Sequence, residues 1–543
     1  MSRVSTMLAA AAFALPFAAH AHTPPEGTER LGTVNFAVSC RSQAEFNRAV
    51  ALLHSFWFQP ADKAFRDIAA KEPSCGMAWW GVAMVMLGNP LAGAPTAQGL
   101  KIGLDIVEKA KAAGARTERE RAYIAAIEAF YRDGDKVPHR QRALAYEKAM
   151  ERLAAEYPAD SEAKIFYALA LNITFDPRDK TYKNQLKAAG ILGAVFKAQP
   201  EHPGVAHYLI HSYDFPPIAG KGIDAAQRYA KIAPDSPHAL HMPSHIFTRV
   251  GYWQASIASN AASAAAAMKE YAAKPTSAPL SNAYHAYDYM AYGHLQLAQD
   301  KAAQALIGKI LAVKKIEFTH TIGAIAAPYA IAAIPTRYAL EREQWAEAAK
   351  LEIPAVDLPW KSWPQTAAIV AFGRGLGAAR SKDVATAEKA RAELAQYKAA
   401  LDRMKQAYWA NQVEIQAEVV EAWIKFASGK TDEGLAQMRV AAEWEDKTEK
   451  HPVTPGPIIP ARELLGDMLM EAGKPKEALA AYEHSMSVEP NRFRGLAGAA
   501  RAAERAGEKA KARDYYRRLL MLAEKGDGER PALKAARAYL AVD

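Results

Sequence analysis

Cysteines, strand-like stretches and catalytic motifs are all scarce in this sequence. Only two of its 543 residues are cysteines, and no paired-cysteine metal motif is present. Alternation of apolar and polar residues is also scarce while alanine is abundant, a balance that favours helices over strands. Hydrophobic residues make up 50% of the chain and charged residues 23%, which excludes an intrinsically disordered protein. At this length, we expect either several domains or a repeat array.

The motifs of common enzyme classes are missing as well. The sequence contains no nucleophile elbow, no phosphate-binding loop and no His-Glu-x-x-His metalloprotease motif. Lysine and arginine are scattered without forming a basic block, so we expect no nucleic-acid partner. No catalytic residue can therefore be named, and the sequence predicts no particular reaction.

The N-terminus has the features of a secretory signal. Arg3 precedes an apolar run over residues 7–19, and Ala19-His20-Ala21 has the small-x-small pattern of a cleavage site. We therefore expect residues 1–21 to be removed and the protein to be periplasmic or secreted. A membrane anchor is the alternative, but the run is short for a span. No later stretch is long and apolar enough to be transmembrane.

Export bears on the two cysteines. Cys40 lies just before the first predicted helix pair, and Cys75 lies at the end of that pair. In an oxidising compartment the two would form a disulfide that ties the N-terminal segment 22–40 to the helix pair. Two small buried thiols are the alternative.

A repetition of 34 residues runs through the middle of the chain. Two prolines and two histidines recur at this spacing, as Pro200, Pro203, His207 and His211 and again as Pro234, Pro237, His241 and His245. Thirty-four residues is the period of a tetratricopeptide repeat, a helix–turn–helix unit that stacks on its neighbours. Further matches to that pattern lie near both ends of the chain, at Ala49, Ala61, Phe65 and Pro73 and at Leu465, Gly466, Gly473, Ala478, Tyr482 and Pro490. Most of residues 41–525 therefore resembles the tetratricopeptide repeat family, and the layout resembles uncharacterised exported bacterial proteins of this type.

The resemblance implies an all-α fold, a right-handed superhelical solenoid of about nine to ten helix pairs, some of them degenerate. We expect an N-terminal array over residues 41–335 with a histidine-rich groove at 200–251. Degenerate helical repeats should follow over 336–450, and a proline-rich loop with the C-terminal repeats over 451–543. Because this family consists mostly of binding scaffolds, the resemblance implies a protein, peptide or small ligand held in the concave groove.

The family's repeat register also implies which side chains line that groove. It assigns His54, Asp214 and His238 to groove-facing positions, together with the four histidines of the 34-residue repetition. Tyr284, His285 and Asp288 of the following helix are expected to approach the same groove. The acidic segment 443–451 is interpreted as a solvated helix end, and the alternative is a loop that dips into the groove.

The histidines themselves suggest a metal site. Six of them lie between His202 and His245, where an even spread of the 15 histidines would put about one. Residues i and i+4 share one helix face, so two adjacent repeats would set four imidazoles side by side. Imidazole is a common ligand for transition metals such as zinc, copper or iron. One hypothesis is therefore that a single ion is bound by His207, His211, His241 and His245.

Two questions about this cluster stay open from the residues alone. Asp214, near His211, could be a further ligand or could accept a hydrogen bond from an imidazole. The histidines could instead form a satisfied polar network between stacked helices, with no metal. Pro243 lies within the second histidine helix and is expected to distort its face.

Overall fold

The computed structural model describes residues 27–316 and 325–541. The predicted signal segment 1–21, its cleavage site and the first mature residue lie outside the described residues. Within them the regular structure is helical, apart from a single β-bridge between Lys315 and Asp357. None of the described helices has the length and apolar character that a membrane span needs. The predicted all-α class is confirmed.

The helices follow one another with short connections and pack as sequence neighbours. The first part of the array consists of α1 Gln43–His54, α2 Phe58–Lys71, α3 Gly76–Met86, α4 Ala97–Ala113, α5 Glu118–Tyr131, α6 His139–Glu156, α7 Ser161–Ile173 and α8 Lys183–Ala198. The middle part consists of α9 Pro203–Tyr213, α10 Ile223–Ile232, α11 Pro237–His241, α12 Pro243–Arg249, α13 Trp253–Ala273, α14 Ser277–Gln296, α15 Asp300–Ile310 and α16 Ala326–Glu341. The remainder consists of α17 Trp345–Ala348, α18 Pro364–Arg380, α19 Val384–Arg403, α20 Ala407–Ala427, α21 Thr431–Asp446, α22 Ala461–Glu471, α23 Pro475–Val488, α24 Phe493–Arg505, α25 Lys509–Leu522 and α26 Pro531–Ala541. Short 3-10 helices lie at Ala219–Gly222 and Trp360–Ser362.

The small residues of the repeat pattern are sites of close packing between paired helices. A Cβ on Gly81 of α3 would lie 2.3 Å from the ring of Phe65 on α2. A Cβ on Gly466 of α22 would lie 2.6 Å from the ring of Tyr482 on α23. Real Cβ atoms do not approach carbon this closely, so the glycine and the aromatic residue fit as a pair. The alternation of small and aromatic positions thus sets how the helices of a repeat pack.

Prolines determine where the histidine-bearing helices begin. Pro203 and Pro237 occupy the first turn of α9 and α11, where the missing N–H costs nothing. Pro243 cannot donate to the preceding turn, and the helix divides at Met242 into α11 and α12. The distortion expected at Pro243 is therefore present, and it separates His241 from His245 by a helix boundary.

The C-terminal repeats fold back onto the middle of the array. The indole of Trp253 donates to the carbonyl of Asn491 at 2.6 Å. Arg492, fully buried, donates to Glu463 at 2.7 Å and to Glu341 at 2.6 Å. Arg530 reaches back to Asp300 at 2.6 Å. These contacts join helices that are distant in sequence.

The segment between α21 and α22, residues 447–460, lies across the concave side, and we call it the strap. Glu449 pairs with Lys180 at 2.6 Å, and the Nε2 of His451 is 2.9 Å from the carbonyl oxygen of Ala92. Lys450 pairs with Asp214 at 2.9 Å, and its side chain is only 6% exposed. The acidic segment therefore does not end in solvent but continues into the groove, as the alternative interpretation has it.

A disulfide joins Cys40 to Cys75, with Cα atoms 5.5 Å apart and a sequence separation of 35. A covalent loop of about this size restricts the unfolded chain. Replacing both cysteines by serine is therefore expected to lower the free energy of unfolding of the N-terminal repeats by about 3–4 kcal/mol. Denaturant titration followed by circular dichroism measures the loss, and reduction of the wild type should reproduce it. Two reactive thiols in the unreduced, folded protein would contradict the bond.

Arg492 provides a second test, because it compensates two carboxylates that have no access to water. Its replacement by methionine removes the cation that contacts both buried carboxylates and leaves Glu463 with only Arg494 at 3.6 Å, and the loss of such a buried partner costs about 3–5 kcal/mol. We expect a matching loss in the free energy of unfolding and faster proteolysis of the C-terminal repeats. The control is Arg518→Met, which removes an exposed pair with Asp514 and should change little. An Arg492→Met protein as stable as the wild type would show that packing of the C-terminal repeats onto the middle of the array does not depend on this arginine.

Candidate metal centre

Six histidines meet on the concave side in two groups of three. We call His207, His211 and His238 the first triad, and His241, His245 and His285 the second triad. Within each triad the potential ligand atoms all lie within 4.8 Å of one another. The two triads are neighbours, since the rings of His211 and His245 are 5.9 Å apart between centroids.

The first triad is built on α9 and completed from α11. His207 and His211 are one turn apart on α9, and their Nε2 atoms are 3.1 Å from each other. The Nε2 of His238, on α11, is also 3.1 Å from that of His207. The Nδ1 of His207 donates to the carbonyl of His54 at 2.6 Å. The proton of His207 is thereby held on Nδ1, and its Nε2 presents a lone pair to both partners.

The second triad is built on α11 and α12 and completed from α14. The Nε2 atoms of His241 and His245 are 3.0 Å apart. The Nδ1 of His241 donates to the amide oxygen of Asn260 at 2.6 Å, and the Asn260 amide nitrogen donates to the carbonyl of Ser256. The Nδ1 of His245 donates to Asp214 at 2.8 Å. His285 completes the group, with its ring 4.3 Å from that of His241.

These partners create an unusual contact between His241 and His245. Each ring keeps its proton on Nδ1, because Asn260 and Asp214 accept it there. Neither Nε2 then carries a hydrogen to donate, so two lone pairs face each other at 3.0 Å. A cation placed between them would turn this repulsion into attraction.

A proton is disfavoured as the cation between the Nε2 atoms of His241 and His245. Burial, together with His285 and His245, holds the pKa of His241 well below its usual value. Burial also lowers the pKa of His245, although Asp214 opposes the shift. In the first triad, burial and neighbouring histidines hold the pKa values of His207, His211 and His238 well below the ordinary range. The imidazoles are therefore neutral at pH 7, which is the form that binds metals.

Asp214 supports the second triad without belonging to it. Burial would raise the pKa of its carboxyl, but Lys450 and Arg249 hold it well below its usual range. Arg249 donates to one carboxylate oxygen at 2.8 Å, and Lys450 and His245 share the other. Asp214 is therefore the acceptor for an imidazole N–H, one of the two roles that the sequence left open.

A cavity of about 440 Å³ opens beside both triads. Its wall includes two histidines of each triad, His211 and His238 from the first and His245 and His285 from the second. The ring of Phe56 stacks on His238, with centroids 5.4 Å apart. Further apolar residues of the lining are Trp57, Phe58, Val85, Met86, Ala92, Ala278, Pro279, Ile325, Ala326, Pro452 and Val453. Any ion bound by either triad would thus face the same cavity.

The other predicted groove residues lie in different surroundings. His54 is fully buried and is 2.9 Å from Glu162, which is also 2.8 Å from His202. Tyr284 is buried, and its hydroxyl donates to the carbonyl of Ile310. Asp288 is buried beside Arg337, and burial raises its pKa to about 6. None of these three side chains borders the cavity beside the triads.

The group of His54, Glu162 and His202 matches the metal-free network that the sequence left open. Burial would raise the pKa of Glu162, but His202 and His54 hold it well below its usual value. Both ring nitrogens of His54 are engaged, one by Glu162 and the other by the hydroxyl of Tyr208 at 3.0 Å. The polar atoms of this three-residue group thus largely form hydrogen bonds with one another, whereas the lone pairs that face each other in the second triad do not.

The structure divides the hypothesised four-histidine site between two triads. His207 and His211 pair with His238, and His241 and His245 pair with His285. The geometric reason is the 34-residue repetition itself, which keeps each His-x-x-x-His pair on its own repeat. A ring from the next repeat then lies closer to each pair than the other pair does.

Sequence reasoning missed the residues that orient the rings. Asn260 and Lys450 both belong to this set, as does Tyr289, whose hydroxyl is 3.5 Å from the Nε2 of His245. Asn260 lies in an alanine-rich helix, and Lys450 lies more than 200 positions from its partner Asp214. Neither position follows the 34-residue period, and the one signal is the alternative interpretation of segment 443–451, which contains Lys450, as a loop that dips into the groove.

Comparisons with known proteins assign no family. No family model matches the sequence, and no curated protein matches it. The chain is similar to the crystal structure of yeast Tom70, with 11% identity, a TM-score of 0.32, and coverage of 92% of this chain and 95% of that one. It is similar to the human IFIT1 dimer with m7Gppp-AAAA, with 12% identity, a TM-score of 0.36, and coverage of 87% and 95%. It is also similar to Naa15/Naa10 bound to HypK-THB, with 12% identity, a TM-score of 0.22, and coverage of 92% and 74%. Likenesses this weak carry nothing about ligands, partners or catalysis to this chain.

Proposed function

We propose that this protein is a metal-binding helical array that holds two transition-metal ions, one in each histidine triad. The observation that carries the proposal is the contact between His241 and His245. Their Nε2 lone pairs face each other at 3.0 Å, while both ring protons are engaged on the Nδ1 side. A metal ion is the partner that this arrangement lacks, because both imidazoles are neutral and no proton is shared between them.

The number of ligands in each triad favours a reactive metal ion over a purely structural one. Structural zinc sites are usually closed by four protein ligands, whereas catalytic sites keep three and leave a position open. Each triad supplies three imidazoles, and two of the three border the apolar cavity. The open position of each ion would therefore face the space in which a small molecule can bind.

The surroundings of the rings support the same conclusion. Metal-binding histidines commonly donate their second N–H to a carbonyl, amide or carboxylate, which fixes the ring and its tautomer. Three of the six rings do so, to the His54 carbonyl, to Asn260 and to Asp214. We also assign the protein to an oxidising compartment, because the Cys40–Cys75 disulfide would not persist in a reducing one.

A second candidate function is that of a scaffold that binds a protein, a peptide or a small ligand on its concave side. It is favoured by a further cavity of about 490 Å³, which borders the strap and is within the size range of small-molecule sites. Aromatic and cationic side chains line it, including Tyr182, Tyr329, Tyr408, Trp409, Arg249 and Lys450. This function requires no metal, so metal content separates the two candidates.

The number of bound ions tests the proposal directly. Protein stripped with a chelator and reloaded with zinc or copper should retain two equivalents, measured by elemental analysis after desalting. His238→Ala and His285→Ala should each retain one equivalent, because each variant breaks one triad and leaves the other complete. Circular dichroism should show an unchanged helical signal in both variants.

The same experiment separates the two triads from a single four-histidine site. One shared ion would give one equivalent in the wild type and no loss in His238→Ala or His285→Ala. His484→Ala is the matched control, because that histidine is half-exposed on α23 and far from the triads. Retention of no metal by the wild type would overturn the proposal and leave the scaffold function.

Asn260 tests whether the rings are held in place for a metal. In Asn260→Leu, His241 loses the acceptor of its Nδ1–H while the side chain keeps a similar volume. We expect metal affinity at the second triad to fall by about 10–100-fold, the usual effect of such partners. Competition with a chromophoric chelator measures it. Ser263→Ala on the same helix removes a hydrogen bond to the Pro237 carbonyl without touching a histidine, and it should leave the affinity unchanged. Equal affinities in Asn260→Leu and the wild type would show that Asn260 does not position His241.

A further inference from the structure

Resting on the proposed two-metal site, we propose that the two triads form one coupled copper centre that reduces dioxygen with electrons from an apolar dihydric phenol. The inference adds the identity of the metal, a shared small ligand and a substrate class to the proposed function. Four features of the described residues carry it. They are the donor set, the spacing of the triads, the shared cavity and the apolar wall of that cavity.

The donor set favours copper. Within the part of the chain that the structure describes, each triad consists of imidazoles alone, and no carboxylate belongs to either. Mononuclear iron oxygenase sites combine two histidines with a carboxylate, and manganese and magnesium prefer oxygen ligands. Asp214, which reaches His245, also binds Lys450 and Arg249 and is not free to bridge two ions. Nitrogen sites bind copper(II) more tightly than the other divalent first-row metals.

The spacing of the triads suits two ions that share one ligand. His211 of the first triad and His245 of the second triad have ring centroids 5.9 Å apart. His238 and His241, one turn apart on α11, are separated by 6.1 Å. Rings from the two triads are therefore scarcely farther apart than rings within one triad, such as His207 and His211 at 4.8 Å. Metals about 3.5–4 Å apart can hold two oxygen atoms at once, and we place one ion in each of these neighbouring triads at a spacing of that order.

The cavity determines what can reach the ions. Both triads contribute to its wall, so dioxygen bound between the ions and an organic substrate would occupy the same space. Phe56 stacks on His238, and Phe58 stacks on Phe56 at 5.2 Å, so the wall beside the first triad is aromatic. Of the charged lining residues, Arg66 and Lys274 are exposed, and Asp62 and Glu270 are half-buried. A volume of about 440 Å³ accommodates a single substituted aromatic ring.

The electron balance of this reaction is closed by dioxygen and the phenol. Two copper(I) ions each give one electron to dioxygen, which becomes a peroxide bridging two copper(II) ions. A first dihydric phenol, with its hydroxyls in the 1,2 arrangement that can form a quinone, gives two electrons and two protons, the O–O bond breaks, and a quinone, one water and a bridging oxide result. A second phenol gives two electrons and two protons, which restores two copper(I) ions and releases a quinone and the second water.

The experiment uses the full chain loaded with copper(I) under anaerobic conditions. On admission of dioxygen, the wild type should gain an intense near-ultraviolet charge-transfer band and remain silent in electron paramagnetic resonance, because two coupled copper(II) ions cancel each other's spin. With 4-tert-butylcatechol it should form quinone and consume one dioxygen for every two quinones. His238→Ala and His285→Ala should lose the band and the oxidation, and His484→Ala should keep both.

The outcomes separate this inference from the proposed function. Retention of two coppers without the band or dioxygen consumption would overturn the coupled centre and leave the two-metal site intact. Retention of fewer than two coppers would overturn both. Phe58→Trp narrows the cavity without touching a triad. It should raise KM for 4-tert-butylcatechol while the dioxygen band persists, and an unchanged KM would show that the phenol does not bind in this cavity.

Discussion

The positions of the imidazole protons are the constraint on which the candidate site depends. Three acceptors hold these protons on Nδ1, namely the carbonyl of His54, the amide of Asn260 and the carboxylate of Asp214. They belong to the end of α1, to α13 and to the end of α9, so the stacking of the array brings them to the histidines. The Nε2 atoms therefore point at one another because the helices are packed as they are. A site formed in this way is organised before any ion arrives.

Charge compensation allows Asp214 to be buried beside the second triad. Asp214 would be costly to bury alone, but Arg249 and Lys450 pair with it, and Lys450 comes from the strap. The strap is held in turn by Arg337, which donates to the carbonyl of Gly456 at 2.9 Å. Removal of the strap would therefore expose the second triad and break the ion pairs of Asp214 together.

The sequence predicts the structural features that follow the 34-residue period, and it predicts few of the contacts that do not follow it. The 34-residue period predicts helix pairs, and small positions such as Gly466 mark where an aromatic ring packs. The six histidines of the two triads could also be named as groove or metal residues, but the sequence does not show which rings lie together. His238 and His285 occupy comparable places in successive repeats, yet they lie 47 positions apart because α13 alone has 21 residues. The contact of Arg492 with Glu341 joins positions 151 apart and that of Lys450 with Asp214 joins positions 236 apart, and no periodicity predicts either.

The two triads follow a single rule, which explains why they occur as a pair. Each takes a His-x-x-x-His pair from one repeat and one histidine from the next, so a ligand set arises only where two repeats stack. The short helix α11 takes part in both, with His238 turned to the first triad and His241 to the second. Pro243 ends this helix after a single turn, which lets α12 present His245 in its own orientation. An ion bound by one triad would fix α11, and the other triad would be restricted with it because the same five-residue helix carries a histidine of each.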